Sequence, residues 1–506
     1  MSNMETRLPL IILKSRSIRG ISISFLGLIL RALFTIALFS LLGRNISVRD
    51  FGIVSFFITV YQLVNGFSEI GLSTSTTKYA SNFFGKLEPN KAFAVFKVSF
   101  ILKNFVNLLV FLLALFFTKS IALDLYKDNT LITPLRFAIA GGLIFNYSNF
   151  FASIFKVLNK FGTLALATSM VPALELLVTY ILIITCHFTI RTFFWIFVLI
   201  PVVIYVLCSF RVPWLKIINS KANIFDISLR LFSLTKWMFF VYVIETLAIR
   251  LDIIILKYFT SDEAIGYYFA AYRVLDVLFL VGSALSVVLL PKISKLTQKD
   301  RLSLKLLGLG LFNLIGLLAL PLGCGLYSIS TETVYVIYGM KFTHSIQILK
   351  ILIPAGVFGL WMTGSGFLIM NYLPYRFIGI IGITNLFSNL ILNVILIPKY
   401  GSIGAAIATS CSYFLVFFIA WALIFKEFVI ELYLHDFRIA IKSLVISIAM
   451  IVLLRPLSGY PYSMIIKILI ALAYFLICSS FLGVFREVFN EYRKITAYFS
   501  KNNFVL

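Results

Sequence analysis

The chain is a succession of apolar blocks, each roughly 20 residues long, with short polar joints between them. A block of that length crosses a hydrocarbon core of about 30 Å at a helical rise of about 1.5 Å per residue. In lipid every backbone N–H and C=O must be satisfied by the protein itself, so a crossing segment is a helix or part of a closed barrel. The strict alternation of a membrane barrel strand is absent. Charged residues make up 13% of the 506 residues and hydrophobic ones 61%. A soluble domain carries about 25% charged residues, so a soluble globule of this composition is excluded. The blocks predict an all-α, polytopic integral membrane protein with about 14 transmembrane helices.

The predicted spans lie near 20–42, 50–72, 94–117, 132–156, 162–186, 192–210, 237–259, 264–290, 303–327, 346–370, 377–397, 403–425, 437–455 and 463–484. Connections are short, the longest running from Arg211 to Lys236. That leaves no room for a soluble domain. The stretch Leu8–Leu13 is too short for the core of a cleavable signal and is followed by Lys14, Arg16 and Arg19. It reads as a short interfacial segment before the first span.

Net charge is +24. No polybasic run or RNA-binding motif accompanies it, so nucleic acid is not an expected partner. The Lys and Arg residues fall mainly in one alternating set of loops, including Pro291–Arg301, which predicts cytoplasmic N- and C-termini. Cys186, Cys208, Cys324, Cys411 and Cys478 show no CxxC spacing, and His187, His344 and His435 are far apart, so no metal site is expected. No Gly-rich phosphate loop, HExxH or GxSxG is present. The chain reads as a non-enzymatic protein without a cofactor.

Two similarities recur at a near-constant offset of about 215 residues. Ser47-Val-Arg-Asp-Phe-Gly52 follows the first span, and Ser261-Asp-Glu-Ala-Ile-Gly266 follows the seventh. Lys160-Phe161 and Arg376-Phe377 follow the fourth and tenth. The repeat predicts two six-helix lobes of equal topology plus two C-terminal helices. The expected divisions are 1–215 (spans 1–6), 216–427 (spans 7–12) and 428–506 (two further spans and a tail). Gly323-Cys-Gly325 and Gly364-Ser-Gly366 are candidates for close helix contact. Pro172, Pro201, Pro321 and Pro354 fall within apolar blocks.

An ionisable side chain at a helix centre costs about 2.5–3.5 kcal/mol on insertion scales, so such residues are functional candidates. Arg31, Lys103, Arg250 and Arg273 lie well inside spans, as do Glu175, Glu245, Asp252 and Asp276, with Glu69 near the end of the second. Arg250, Asp252, Arg273 and Asp276 are expected at comparable depth on neighbouring helices, with Glu245 and Asp252 on one helix face. Several guanidinium groups in one water-filled cavity suit an anionic, phosphate-bearing ligand. The competing reading is a neutralised structural network, with Arg273 and Asp276 paired three residues apart on their own helix. Lys103 is open to a third reading, a lysine whose ammonium reaches the interface.

The segments Arg250-Leu-Asp-Ile-Ile-Ile-Leu-Lys-Tyr-Phe259, Ile265-Gly-Tyr-Tyr-Phe-Ala-Ala-Tyr-Arg273 and Leu290-Pro-Lys-Ile-Ser294 resemble the polysaccharide transporter family. That family holds the O-antigen and lipid-linked oligosaccharide flippases of the multidrug/oligosaccharidyl-lipid/polysaccharide exporter superfamily. Asn385, Leu392-Asn393, Ile397-Pro-Lys-Tyr-Gly401, Gly404-Ala-Ala-Ile-Ala-Thr409 and Arg49-Asp-Phe-Gly52 agree with it.

The resemblance extends over about residues 18–425 and implies two six-helix lobes around a cationic cavity lined by the first, second, seventh and eighth helices. It implies movement of undecaprenyl-pyrophosphate-linked oligosaccharide repeat units across a bacterial inner (plasma) membrane by ion-coupled alternating access. The product would serve O-antigen, lipopolysaccharide or other surface polysaccharide synthesis. Arg31, Arg250 and Arg273 match the phosphate- and sugar-binding positions. Asp252 and Asp276, with Glu69, are the carboxylates for coupling to H+ or Na+. The only charge in the second span is acidic, a departure from the cationic family pattern. The implied partners are the lipid-linked oligosaccharide, the counter-ion, the bilayer, and a polysaccharide polymerase with its chain-length regulator. Two alternatives stand beside this: a multidrug or metabolite antiporter of the same superfamily, and a membrane enzyme of polysaccharide assembly, such as a polymerase or glycosyltransferase.

Overall fold

The structure is a computed structural model and describes residues 7–220, 224–293, 301–374, 376–428, 433–457, 463–490 and 493. Among the described residues there is no strand, and twelve helices are long and apolar enough to cross a membrane. The main helices are α1 (Arg7–Asn45), α2 (Val48–Glu69), α3 (Leu72–Gly85), α4 (Pro89–Ser120), α5 (Ile132–Val157), α6 (Phe161–Ile184), α7 (Ile190–Ser209) and α8 (Ile224–Phe259). They continue as α9 (Asp262–Ile293), α10 (Arg301–Ser328), α11 (Ser330–Tyr338), α12 (His344–Tyr372), α13 (Arg376–Glu427), α14 (Arg438–Leu454) and α15 (Ser463–Phe481). The 52-residue α13 holds two predicted spans. The 36-residue α8, with Glu245, Arg250, Asp252 and Lys257 in its second half, is a further long helix beside the twelve. Counting α8, and both halves of α13, recovers the expected number of crossings.

Three connections differ from their predicted form. Residues 7–22 continue the first span as one helix instead of forming a separate interfacial segment. The second span ends at Glu69, because Ile70 and Gly71 take left-handed backbone (φ 43° and 74°) before α3 begins. Much of the long Arg211–Lys236 connection is helical, since α8 starts at Ile224. In the basic Pro291–Arg301 loop, residues 294–300 lie outside the described residues, as do residues 494–506 of the tail.

The repeated motifs occupy equivalent places. Ser47 caps α2, its Oγ accepting the Asp50 N–H at 3.0 Å. Ser261 does the same at α9, accepting the Ala264 N–H at 3.4 Å. A serine at an N-cap satisfies one of the orphan donors of the first turn. Gly52 and Gly266 are both buried. Lys160 and Arg376 stand at the starts of α6 and α13.

The chain forms two compact units, Met1–Tyr258 and Phe259–Leu506. The division expected from the repeat, at residue 215, is drawn before the seventh span, and the compact units divide at the end of α8. In the first unit α1 packs along α6, α2 along α5, and α5 along α7. Its core is aromatic and aliphatic, with Phe96, Phe150, Ile154 and Phe155 fully buried. α8 joins this unit through polar contacts. Tyr242 Oη lies 3.0 Å from Thr74 Oγ1, and the Tyr126 hydroxyl donates to the Ile254 carbonyl at 3.2 Å. Lys257 Nζ sits 3.7 Å from the Asp128 carboxylate in the loop before α5. Burial pushes the Asp128 carboxyl up, but hydrogen bonds from Thr130 and the Lys257 charge outweigh it and hold the group below the usual carboxylate range.

In the second unit α12 packs against α9, α10 and α13, and α14 packs on α10. Phe312, Trp361 and Phe417 meet at its centre, and Trp361 Nε1 donates to the Phe312 carbonyl at 2.7 Å. Of the paired glycines, Gly323 and Gly364 lie tight against Val357 and Ile315, while Gly325 and Gly366 have open space or ordinary contacts.

The Ile397-Pro-Lys-Tyr-Gly401 motif is the break inside α13. Gly401 adopts φ 58°, ψ −132°, a conformation open in practice only to glycine. Three residues later, a Cβ on Gly404 would overlap the backbone carbonyl of Leu396, with 2.6 Å to its carbon. Backbone cannot yield as a side chain can. Gly404→Ala is therefore expected to displace the two halves of α13 and lower stability by at least about 1–3 kcal/mol, the cost of overpacking. Melting temperature of the purified variant checks this; an unchanged value would contradict the close approach.

Candidate translocation residues

Several charged side chains inside the spans fall into three settings. The first surrounds Arg31. It is exposed on α1, yet its guanidinium lies 6.0 Å from the Phe145 ring centre on α5. That ring in turn meets the buried Tyr61 ring of α2, with 5.4 Å between centres. Arg31 thus lies against an aromatic pair of the first unit. Such a group combines a guanidinium fork with aromatic faces.

The second setting is a buried polar chain in the same unit. Lys103 Nζ on α4 lies 3.0 Å from Glu69 Oε2 and donates to Asn146 Oδ1 at 2.8 Å. Asn146 Nδ2 in turn donates to Asn107 Oδ1 at 2.9 Å. Glu69 Oε1 accepts the Ser73 N–H at 2.9 Å. Lys103 therefore points inward to a carboxylate and does not reach the interface. A polar cavity of about 140 Å³ adjoins Glu69, with Ser73, Asn149, Ser153, Lys156 and Tyr242 in its wall.

The third setting lies in the second unit. Arg273 pairs with Asp276 at 3.0 Å across one helical turn of α9 and lies 4.5 Å from the Phe269 ring centre. The pairing considered as a structural network is thus the one observed. Asp276 keeps 37% of its side chain exposed, against 15% for Arg273.

Of the α8 residues, Arg250 is half-buried and makes no ion pair among the described residues. Asp252 is buried, and its Oδ1 accepts the Ile253 N–H at 2.8 Å. Glu245 is exposed despite sharing a helix face with Asp252. Within the first unit, then, Glu69 is matched with Lys103. In the second, Arg273 is matched with Asp276.

Glu175 is buried on α6. Sequence reasoning missed three participants. Asn107 and Asn146 are amides within spans, a costly placement that could have marked them. Lys467 lies inside the last span. It is 1% exposed and pairs with Glu332 of α11 while donating to the Ser328 carbonyl at 3.2 Å.

The family described as "Polysaccharide biosynthesis protein" matches residues 41–347. The chain belongs to that family. Residues Arg49 to Gly52 and the α8 and α9 motifs all fall inside the matched region. The chain is 34% identical over 171 residues to the probable flippase AglR of Haloferax volcanii, a match over 32% of this chain and 35% of that protein. The chain thus matches about a third of that relative's length. It is 24% identical over 434 residues to an uncharacterized membrane protein of Methanocaldococcus jannaschii, covering 80% and 83% of the two chains. In fold it is similar to the lipid II flippase MurJ in an inward closed conformation, with a TM-score of 0.73, 18% identity, and coverage of 92% and 99%. The all-α, multi-pass membrane architecture follows from these helices and that likeness.

Proposed function

We propose that this protein is a flippase for polyprenyl-pyrophosphate-linked oligosaccharides, undecaprenyl-linked repeat units among them, acting by ion-coupled alternating access in a bacterial plasma membrane. Its product feeds a surface polysaccharide such as O-antigen, with a polymerase and chain-length regulator downstream. The observation that carries the reading is Arg31, exposed on α1 and set over Phe145, whose ring meets that of Tyr61. A guanidinium grips phosphate oxygens through its fork, and aromatic faces suit sugar rings. Membership of a polysaccharide biosynthesis family and likeness to proteins named as flippases point the same way.

Arg31, Arg250 and Arg273 serve as the cationic positions for pyrophosphate. Arg250, without an ion-pair partner among the described residues, is available as it stands. Arg273 has to exchange Asp276 for the ligand. Asp252, Asp276 and Glu69 are the carboxylates for coupling to H+ or Na+. A ligand shifts a conformational equilibrium only through unequal affinity for its states, so the coupling ion has to favour one conformation at these carboxylates.

Deleting the gene is expected to make lipid-linked repeat units accumulate on the cytoplasmic leaflet while drug susceptibility stays unchanged. Raised drug sensitivity without lipid accumulation would favour the antiporter reading. Failure to form or polymerise the repeat unit, with flipping intact, would favour an assembly enzyme.

A further inference from the structure

The buried pair in the first unit has the make-up of a cation site whose cation is covalently attached. Glu69 Oε2 from α2 and Asn146 Oδ1 from α5 converge on Lys103 Nζ of α4, at 3.0 and 2.8 Å. Asn146 is oriented for this. Its Nδ2 is engaged by Asn107 Oδ1 at 2.9 Å, which turns its carbonyl oxygen to the ammonium. The second Glu69 oxygen is held by the Ser73 N–H. A carboxylate and an oriented amide carbonyl from two helices are the donor types that hard cations take.

The pair is sealed, with side-chain exposures of 0% for Lys103 and 4% for Glu69. Glu69 nevertheless borders the polar cavity of about 140 Å³, which has room for water or a small ion. The charged and polar groups facing the pair are Asn107, Asn146, Ser73 and, across the cavity, Lys156 and Tyr242.

We propose that Lys103 is a tethered cation: its ammonium fills a monovalent-cation site built by Glu69 and Asn146, so this carboxylate takes no ion from solution. The inference rests on reading Glu69 as a coupling carboxylate and changes what it couples to. Any ion taken from solution then acts at Asp252 or Asp276.

Melting of the full-length purified protein, in sodium, potassium, choline and methylammonium chlorides at one ionic strength, tests this independently of flipping. Any cation response of the wild type is expected to survive Glu69→Gln, because it arises away from this carboxylate. Lys103→Met is expected to melt lowest in choline and to gain about 3 °C in sodium or methylammonium, as for a ligand that binds only the folded state. Adding Glu69→Gln should erase that gain. Lys103→Gln, which keeps a donor for Glu69 without the charge, should respond in the same direction and serves if the methionine variant does not fold. Cation-independent melting of the Lys103 variants would overturn the proposal. So would a sodium response of the wild type that Glu69→Gln removes. Neither result bears on whether lipid-linked sugar is flipped.

Discussion

Replacing Lys467 by methionine is expected to destabilise the second compact unit by about 3–5 kcal/mol, the cost of stranding one member of a buried ion pair. Methionine fills similar space and is easier to insert in lipid than lysine, so insertion alone would favour the variant. The loss arises because Glu332, 7% exposed, is left without the ammonium that neutralises it. The same lysine also ties α15 to the end of α10 through the Ser328 carbonyl. A second tie, Lys442 of α14 to Glu487 at 2.8 Å, remains in the variant and limits the damage to one end of the helix pair. Glu332→Gln alone should be costly too, since it strands Lys467. The double variant Lys467→Met/Glu332→Gln should recover most of the stability, because both charges leave together. Melting curves of the four proteins give the coupling directly. Additive losses would mean that the pair is not a unit.

Arg31→Ala is expected to slow flipping by about tenfold to a hundredfold, the range for losing a charged hydrogen bond of about 1.5–3 kcal/mol. Arg31→Lys keeps a positive charge at this position but not the planar fork, so flipping should stay reduced. Full activity in the lysine variant would show that Arg31 acts only as a point charge.

Much of this architecture was legible in the sequence because lipid leaves the backbone so few options. Block length alone gave the spans, and most predicted ends lie within a few residues of the helices. Where the chain departs, the cause is local. The left-handed Ile70–Gly71 step ends α2 early, and α8 continues back to Ile224 through a charged helical stretch with the exposed Asp226–Arg230 pair. The quoted motifs acquire physical roles. Gly401 and Gly404 break α13 and let its halves approach. Asn393 donates to Asn389 at 2.8 Å, and Tyr268 lies 3.2 Å from Thr409, so two separated motifs meet in one buried polar cluster.

Charge partners were less legible. Arg273–Asp276 could be read because both lie on one helical turn. Lys103 with Glu69 and Lys467 with Glu332 could not, because each pair joins helices far apart in the chain. The charges themselves were visible; their neutralisation depends on tertiary packing.

The central claim is that this protein carries lipid-linked oligosaccharide across a bilayer. Its most direct measurement is in proteoliposomes made with a labelled undecaprenyl-pyrophosphate-linked oligosaccharide, following how fast sugar in the inner leaflet becomes accessible to an external oxidising reagent. The wild-type protein is expected to speed that appearance well beyond protein-free vesicles, with Arg31→Ala close to the protein-free rate. Equal rates with folded wild-type protein and with none would contradict the account.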